Sequence, residues 1–191
     1  MATQKKKRII VGISGASGII YGIRLLECLK ESAIETHLIL TKAAQQTRSY
    51  ECNLSAAAIS ELADKHYNIN DIAASLSSGS YQTLGMIIAP CSMRTLANIA
   101  SGNSDNLLTR AADVVLKERR RLVLMVRESP LHLGHLKNMV AVTEMGAIIA
   151  PPAPAFYNNP KTIDDLVNHS VGRILDLFDL DVGLVTRWGG N

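Results

Sequence analysis

One short stretch near the N-terminus constrains the fold more than any other part of the chain. An apolar run from Ile9 to Ile13 leads directly into a turn rich in glycine and serine. A run of this kind is typical of a strand that is covered on both faces. Gly15 and Gly18 permit a tight turn, and residues 19–31 then have a helical pattern. The stretch therefore predicts a strand, a glycine turn and a helix, in that order.

The start of that helix presents unpaired backbone N–H groups to the turn, and such helix N-termini bind phosphate. Gly12, Gly15 and Gly18 have the spacing G-x-x-G-x-x-G. This differs from the G-x-G-x-x-G of dinucleotide sites, and no Gly-Lys-Ser/Thr of a P-loop follows. The turn alone therefore predicts a nucleotide or another phosphorylated cofactor, and a purely structural turn is the alternative.

The rest of the chain repeats this alternation of strand and helix. Further apolar runs lie at residues 35–40, 85–89, 122–126 and 146–150, and helical patterns separate them. The pattern predicts an α/β fold, a doubly wound and mainly parallel sheet of five or six strands with helices on both faces, as in Rossmann and flavodoxin-like proteins. The 191 residues fit a basic tail at 1–7, a single domain at 8–180 and a C-terminal tail at 181–191 that contributes to the site or to a subunit interface.

Composition argues against several functional classes. No apolar run reaches the roughly 20 residues needed to span a bilayer, and the N-terminus lacks the apolar segment of a signal peptide, so we expect a cytoplasmic location. The net charge of +3 arises largely from the tail, and no wide basic face with aromatic partners predicts nucleic-acid binding. Cys28, Cys52 and Cys91 have unrelated spacings, which predict neither disulfides nor a zinc site.

Polar side chains follow each predicted strand at its carboxyl end, the edge where open α/β sheets bind ligands. They are Ser14, Ser17, Thr41, Ser92 to Thr95, Arg127, Glu128 and Tyr157. Taken singly, each is an ordinary cap or turn residue. Together, hydroxyls, backbone N–H groups and an arginine on one edge predict a site for a phosphate-bearing ligand.

Two other candidate sites are weaker. Cys91 follows Pro90 and invites interpretation as a nucleophile, but no base lies nearby in the sequence, so we expect a structural cysteine. His132 and His135 share a helix face, but no third ligand completes a metal site there. We therefore predict no metal.

Several motifs together resemble the UbiX/Pad family of flavin prenyltransferases, within a larger superfamily of FMN-binding flavoproteins. The resemblance runs from about Lys7 to Trp188. The motifs that carry it are Gly15-Ala16-Ser17-Gly18, residues 90–96 (PCSMRTL), residues 110–118 (RAADVVLKE), Arg127-Glu128 with Pro130, and residues 154–157 (PAFY).

The resemblance implies an activity, a cofactor and partners. The enzyme would join a dimethylallyl group from dimethylallyl phosphate to N5 and then C6 of reduced FMN, without a metal. Its product, prenylated FMN, would serve a UbiD-type decarboxylase, as in ubiquinone biosynthesis. The resemblance also implies a homo-oligomer, a dodecamer built from trimers, in which neighbouring subunits share sites. A monophosphate and a diphosphate both remain open as the prenyl donor.

Carried over position by position, the resemblance also assigns roles to individual residues. It implies FMN contacts at Gly15, Ala16, Ser17, Thr41, Ser92, Met93, Arg94, Thr95, Arg110 and Arg127. It implies substrate contacts at Lys117, Arg127, Tyr157 and Arg173. It implies catalytic roles for Ser17, Glu51, Lys117, Arg127, Glu128 and Trp188.

The chemistry of these residue types is consistent with the implied reaction. Lys117, Arg127 and Arg173 would stabilise the charge that develops on the leaving phosphate. Glu128 would give a proton to the phosphate or take one from C6, and Trp188 would shelter an allyl cation. The alternatives are an FMN-dependent decarboxylase of the same superfamily and a non-catalytic FMN-binding subunit. A Rossmann NAD enzyme is a weaker one, because the glycine spacing is wrong.

Overall fold

The computed structural model describes residues 6–185, which form a six-stranded parallel sheet covered by helices on both faces. The strand order is β3-β2-β1-β4-β5-β6, and every neighbouring pair is parallel. The strands are β1 Arg8–Ile13, β2 Glu35–Leu40, β3 Lys65–Tyr67, β4 Gly85–Cys91, β5 Arg121–Val126 and β6 Ile148–Ile149. The predicted fold class is therefore confirmed.

Seven helices lie within the described range, six of them between strands and α7 after β6. They are α1 Ile19–Lys30, α2 Lys42–Glu51, α3 Ala56–Ser60, α4 Met93–Ala100, α5 Leu107–Lys117, α6 Leu133–Glu144 and α7 Ile163–Asp176. A short 3-10 turn, Ser75–Ser77, lies in the segment between β3 and β4. None of the described helices has the length and apolar character needed to cross a bilayer.

The apolar runs form strands because both faces of the sheet are buried. Along β1, Ile9, Val11 and Ile13 pack against α1 and α7 on one face. Ile10, between them, packs into the cluster formed with α4, α5 and α6 on the other face. Successive side chains of a strand point to opposite faces of the sheet. Because both faces are covered, the central strands appear in the sequence as continuous apolar runs without polar alternation.

The strand order places a crevice between β1 and β4. The chain leaves β1 toward β2 on one side, and it returns after β3 to pair β4 with the other side of β1. Parallel sheets bind ligands at this reversal, outside the carboxyl ends of the strands. The loops after β1 and β4 therefore meet at the edge where the sequence predicted a site.

Some predicted boundaries differ from the structure. β3 was not predicted, because Lys65 and His66 are exposed and the strand has no apolar run. The fifth apolar run contributes only Ile148–Ile149 to β6, an edge strand that pairs with β5 alone. The last helix, α7, ends at Asp176 and tight turns follow it.

Candidate active site

Three helices begin at one open cavity of about 230 Å³. The N-cap residues of α2, α4 and α5 are Thr41, Ser92 and Asn106, and all three line it. Each helix start carries a partial positive charge and orients backbone N–H groups toward the cavity. Three such termini at one place make this cavity suited to a phosphate-bearing ligand.

Side-chain hydrogen bonds hold these helix starts in place. The Thr41 hydroxyl accepts from Ala44 N at 3.0 Å, and the Ser92 hydroxyl accepts from Thr95 N at 3.3 Å. The Ser92 hydroxyl also donates to the Thr95 hydroxyl at 3.1 Å. Since the caps bond backbone groups of the first turn, the remaining N–H groups keep a fixed direction.

A buried serine joins the loops after β1 and β4. The Ser14 hydroxyl donates to the Pro90 carbonyl at 2.9 Å and accepts from Ser92 N at 2.7 Å. Ser14 N also donates to the Pro90 carbonyl, at 3.2 Å. Ser14 is 1% exposed, so water does not compete for these bonds. The two loops therefore form one rigid edge of the cavity.

Two glycines of the first turn have distinct physical roles. Gly15 lines the cavity, and a Cβ there would collide with the Cβ of Ala43 in the first turn of α2. Gly18 is the N-cap of α1 with φ of 100°, a left-handed conformation that glycine adopts without strain. Glycine is therefore required at position 15, because the loop lies against α2 there.

A carboxylate of the chain itself occupies the N-terminus of α1. The Glu51 Oε2 atom accepts from Gly18 N at 2.8 Å and from Ile19 N at 3.1 Å. Burial raises the pKa of Glu51, but hydrogen bonds from Ser17 and from those two amides outweigh it. The nearby Arg127 charge acts in the same direction, so the pKa lies below its ordinary value. The sequence predicted a ligand phosphate at this helix start, but the structure places the Glu51 carboxylate there instead. Ser17, Glu51 and Arg127 form one cluster.

The other predicted site residues fall into separate groups. Arg94 and Thr95 line the cavity together with Gly15, Thr41 and Ser92. Met93 packs into the core on the α4 side, and Ala16 lies half-buried in the first turn.

Two basic residues of α5 lie elsewhere. Arg110 donates to Asp113 at 2.7 Å and to the Ser77 carbonyl at 3.3 Å. Lys117 lines a second cavity, of about 620 Å³, between α4, α5 and the end of α6. Its ammonium group pairs with Glu118 and lowers the pKa of that carboxyl. Lys117 therefore lies at the opposite end of α5 from Asn106, and Asn98 and Thr109 line both cavities.

Tyr157 and Arg173 belong to a third region, near α7. The Tyr157 hydroxyl lies 3.4 Å from His169 Nε2, and Arg173 donates to Asp176 at 2.8 Å. Glu128 is exposed after β5, where its carboxylate accepts from Ser129 N at 3.0 Å. Trp188 lies outside the described residues, and its predicted role stays a prediction.

The two weaker candidate sites, at Cys91 and at His132 with His135, have structural explanations in the described chain. Complete burial raises the pKa of the Cys91 thiol to about 12, so this residue is no nucleophile. His132 caps α6 by accepting from Gly134 N, and its ring stacks on His135 at 3.6 Å between centroids. No metal-binding cluster of His, Cys, Asp or Glu occurs among residues 6–185.

The cavity also contains polar residues that the sequence did not single out. Asn98, Asn106, Thr109 and Asn70 line it. Asn106 and Thr109 have an N-cap spacing, and the Asn106 side chain accepts from Thr109 N at 3.2 Å. That pattern could have been found from the sequence. Asn70 lies in an irregular segment where no sequence pattern predicts its position.

A family model described as Flavoprotein matches residues 1–175. Flavin prenyltransferase UbiX of Escherichia coli strain K12 is 57% identical over 187 residues, covering 96% of this chain and 99% of that protein. The chain belongs to the UbiX family of flavin prenyltransferases.

Solved structures of the UbiX family superimpose closely. AnUbiX (PadA1), in complex with FMN and dimethylallyl pyrophosphate, has a TM-score of 0.96 at 52% identity and covers 97% of this chain and 99% of its own. A dodecameric FMN-dependent UbiX-like decarboxylase from Escherichia coli O157:H7 has a TM-score of 0.93 at 50% identity, covering 96% of this chain and 100% of its own. The predicted family, fold and enzyme class are therefore confirmed.

Proposed function

We propose that this flavin prenyltransferase joins a dimethylallyl group from dimethylallyl phosphate to N5 and C6 of reduced FMN. The product is prenylated FMN for a UbiD-type decarboxylase, as in ubiquinone biosynthesis, and the reaction takes place in the cytoplasm. The observation that carries the proposal is the cavity at which α2, α4 and α5 begin. It offers oriented N–H groups and the caps Thr41, Ser92 and Asn106 to an FMN phosphate.

The residues present fit a bound flavin. Gly15 keeps the cavity open beside α2, because any larger residue would collide with Ala43. Arg94 lines the same cavity and supplies positive charge to the FMN phosphate, and Thr95 supplies a hydroxyl. Bound reduced FMN would supply an electron-rich ring as the acceptor of the prenyl group. The chain's own residues bind and orient it and hold the leaving phosphate.

The Ser17, Glu51 and Arg127 cluster extends the site along the same sheet edge. Glu51 is held ionised by the α1 N-terminus, so it orients Ser17 and Arg127 rather than delivering a proton. Arg127 stabilises the negative charge on the phosphate as the carbon–oxygen bond breaks. Glu128, the next residue, exchanges a proton with the phosphate or accepts the one lost from C6.

The separate positions of the basic residues favour a site shared between subunits. We propose that the prenyl phosphate is held by Lys117, Arg173 and Tyr157. Lys117, however, lines the cavity of about 620 Å³ and not the one at which α2, α4 and α5 begin. A neighbouring copy can bring these residues, and Trp188, to a flavin bound by the first copy.

An exposed apolar stripe offers the surface for such an assembly. Leu133, Leu136 and Val140 follow one another at helical spacing on α6, and they are 64%, 46% and 57% exposed. Exposed apolar stripes of this kind mark interfaces. We propose that a second copy covers this stripe within a homo-oligomer, a dodecamer built from trimers. Val140→Glu should dissociate the oligomer in size-exclusion chromatography with light scattering, and an unchanged mass would contradict this assignment.

The activity itself is tested by anaerobic incubation with reduced FMN and dimethylallyl phosphate. We expect mass spectrometry to show a flavin that carries one added five-carbon unit. Parallel reactions with the diphosphate establish which donor the enzyme accepts. A flavin of unchanged mass with both donors, in protein shown to bind FMN, would refute the transferase.

The role of Glu128 is tested by a matched pair of variants. Glu128→Gln removes the proton-transfer group but keeps the side-chain volume, so we expect slow turnover with retained FMN binding. Glu61→Gln changes an exposed glutamate beside α3 and should have no effect. Turnover of Glu128→Gln at the rate of the parent enzyme would exclude proton transfer by this residue.

A further inference from the structure

A short chain of hydrogen bonds reaches Tyr157 from its neighbours on the α7 side. The Asn158 amide Nδ2 lies 3.0 Å from His169 Nδ1, and His169 Nε2 lies 3.4 Å from the Tyr157 hydroxyl. The rings of Tyr157 and His169 also pack edge to face, with centroids 5.6 Å apart and planes at 87°. His169 therefore contacts Tyr157 through both its ring and its nitrogen.

The donor at Asn158 determines the protonation pattern of the imidazole. An amide NH₂ group only donates, so His169 Nδ1 must accept from it. The neutral ring then carries its hydrogen on Nε2, which donates to the Tyr157 oxygen. The hydrogen of the Tyr157 hydroxyl consequently points to an acceptor other than His169. This direction suits a tyrosine that donates to a phosphate oxygen.

The helix brings a second phosphate-binding group to the same face. His169 and Arg173 are four residues apart on α7, so their side chains lie on one side of the helix, one turn apart. The opposite side of α7, with Val167, Val171 and Ile174, packs against α1 and holds the helix in place. Thr162 and Asp165 form a capping box at its start. His169 is thus fixed on a rigid element.

We propose that His169 is a positioning residue for the prenyl-phosphate substrate. It orients the Tyr157 hydroxyl on the side of α7 that also carries Arg173, so that tyrosine and arginine donate together to the phosphate. This inference rests on the proposed role of Tyr157 in substrate binding. His169 itself touches neither substrate nor flavin, and it acts only through the tyrosine.

The test measures KM for dimethylallyl phosphate in a double-mutant cycle of His169→Leu and Tyr157→Phe. We expect each single variant to raise KM roughly five- to tenfold, the value of one hydrogen bond, with little change in kcat, FMN affinity or melting temperature. The double variant should match Tyr157→Phe, because the two groups act as one unit. His169→Gln keeps a donor near the Nε2 position and should restore part of the loss.

A matched control separates this role from a general effect of losing a histidine. His66→Leu alters an exposed histidine on β3, about a hundred residues before His169 in the sequence, and should leave KM unchanged. The inference would be overturned if the increase in KM of the double variant equalled the product of the two single increases, or if KM were unchanged in His169→Leu. Either result would leave the role of Tyr157 intact. An unchanged KM in Tyr157→Phe would instead refute the proposed role of Tyr157 itself.

Discussion

Replacing Glu51 by alanine tests how the start of α1 is stabilised. Gly18 at the N-cap has no side chain, so the Glu51 carboxylate from the end of α2 caps α1 from outside. Removing it leaves the Gly18 and Ile19 amides without their acceptor. It also removes the favourable interaction between a negative charge and the positive end of the helix.

The size of the effect follows from these two contributions. Loss of an N-cap side chain costs about 1 kcal/mol, and a charge at a helix end adds roughly 0.3–1 kcal/mol. Glu51 is exposed, which screens its charge, so the lower part of this range applies and we expect about 1 kcal/mol in total. For a chain of this size that lowers the melting temperature by about 2–4 °C. Glu51→Gln keeps an acceptor oxygen but no charge. Its melting temperature should therefore lie between those of the parent protein and Glu51→Ala.

The assay is scanning calorimetry at pH 7 and at pH 4, with Glu61→Ala as the control for an exposed glutamate. The folded-state pKa of Glu51 lies below its ordinary value of 4.5, so its stabilisation is present above that pH and is lost as the pH falls through the folded pKa. The difference in melting temperature between the parent protein and Glu51→Ala should therefore be smaller at pH 4 than at pH 7. If this difference is absent at pH 7, or is the same at both pH values, the capping role is refuted.

Three further predictions address the cavity, the buried histidine and the cysteines. Gly15→Ala should weaken FMN binding by roughly 10- to 100-fold in a fluorescence titration, because the new methyl group collides with Ala43; tight binding would show that the loop can shift. Burial lowers the pKa of His37 from its ordinary 6.5, so the unfolded chain binds more protons below that pH. The melting temperature should fall as the pH drops from 7 to 5.5, and His37→Gln should flatten this dependence; an equal slope in both proteins would contradict it. In the native protein a thiol reagent should modify Cys52 and leave Cys91 unreacted, as mass spectrometry of peptides can show.

The sequence predicted those parts of the fold that depend on local patterns. β1, β4 and β5 are buried on both faces, so their apolar runs identified them directly. β3 could not be predicted in this way. It forms by pairing with β2 and by the contact of the Tyr67 hydroxyl with His37 Nδ1, at 2.9 Å, and both depend on residues far apart in sequence.

The site was predictable at the level of the sheet edge but not of its internal arrangement. Thr41 and Ser92 were identified because each follows a strand and precedes a helix. The carboxylate at the α1 N-terminus was not predicted, because Glu51 reaches Gly18 across 33 positions of sequence. Lys117 appeared with the site residues through the resemblance, and the folded chain places it at another cavity.

The Ser14 hydroxyl has a consequence for the rate at which flavin exchanges. In a prenyltransferase that modifies flavin, the flavin is consumed as a substrate, so it must enter and leave in every cycle. Ser14 already joins the loops after β1 and β4, so little backbone has to become ordered when the ligand arrives. Binding then costs little conformational entropy, and departure of the product regains little. In the proposed site, affinity then rests on contacts with the FMN phosphate, so the same rigid cavity would hold reduced FMN and release its enlarged product.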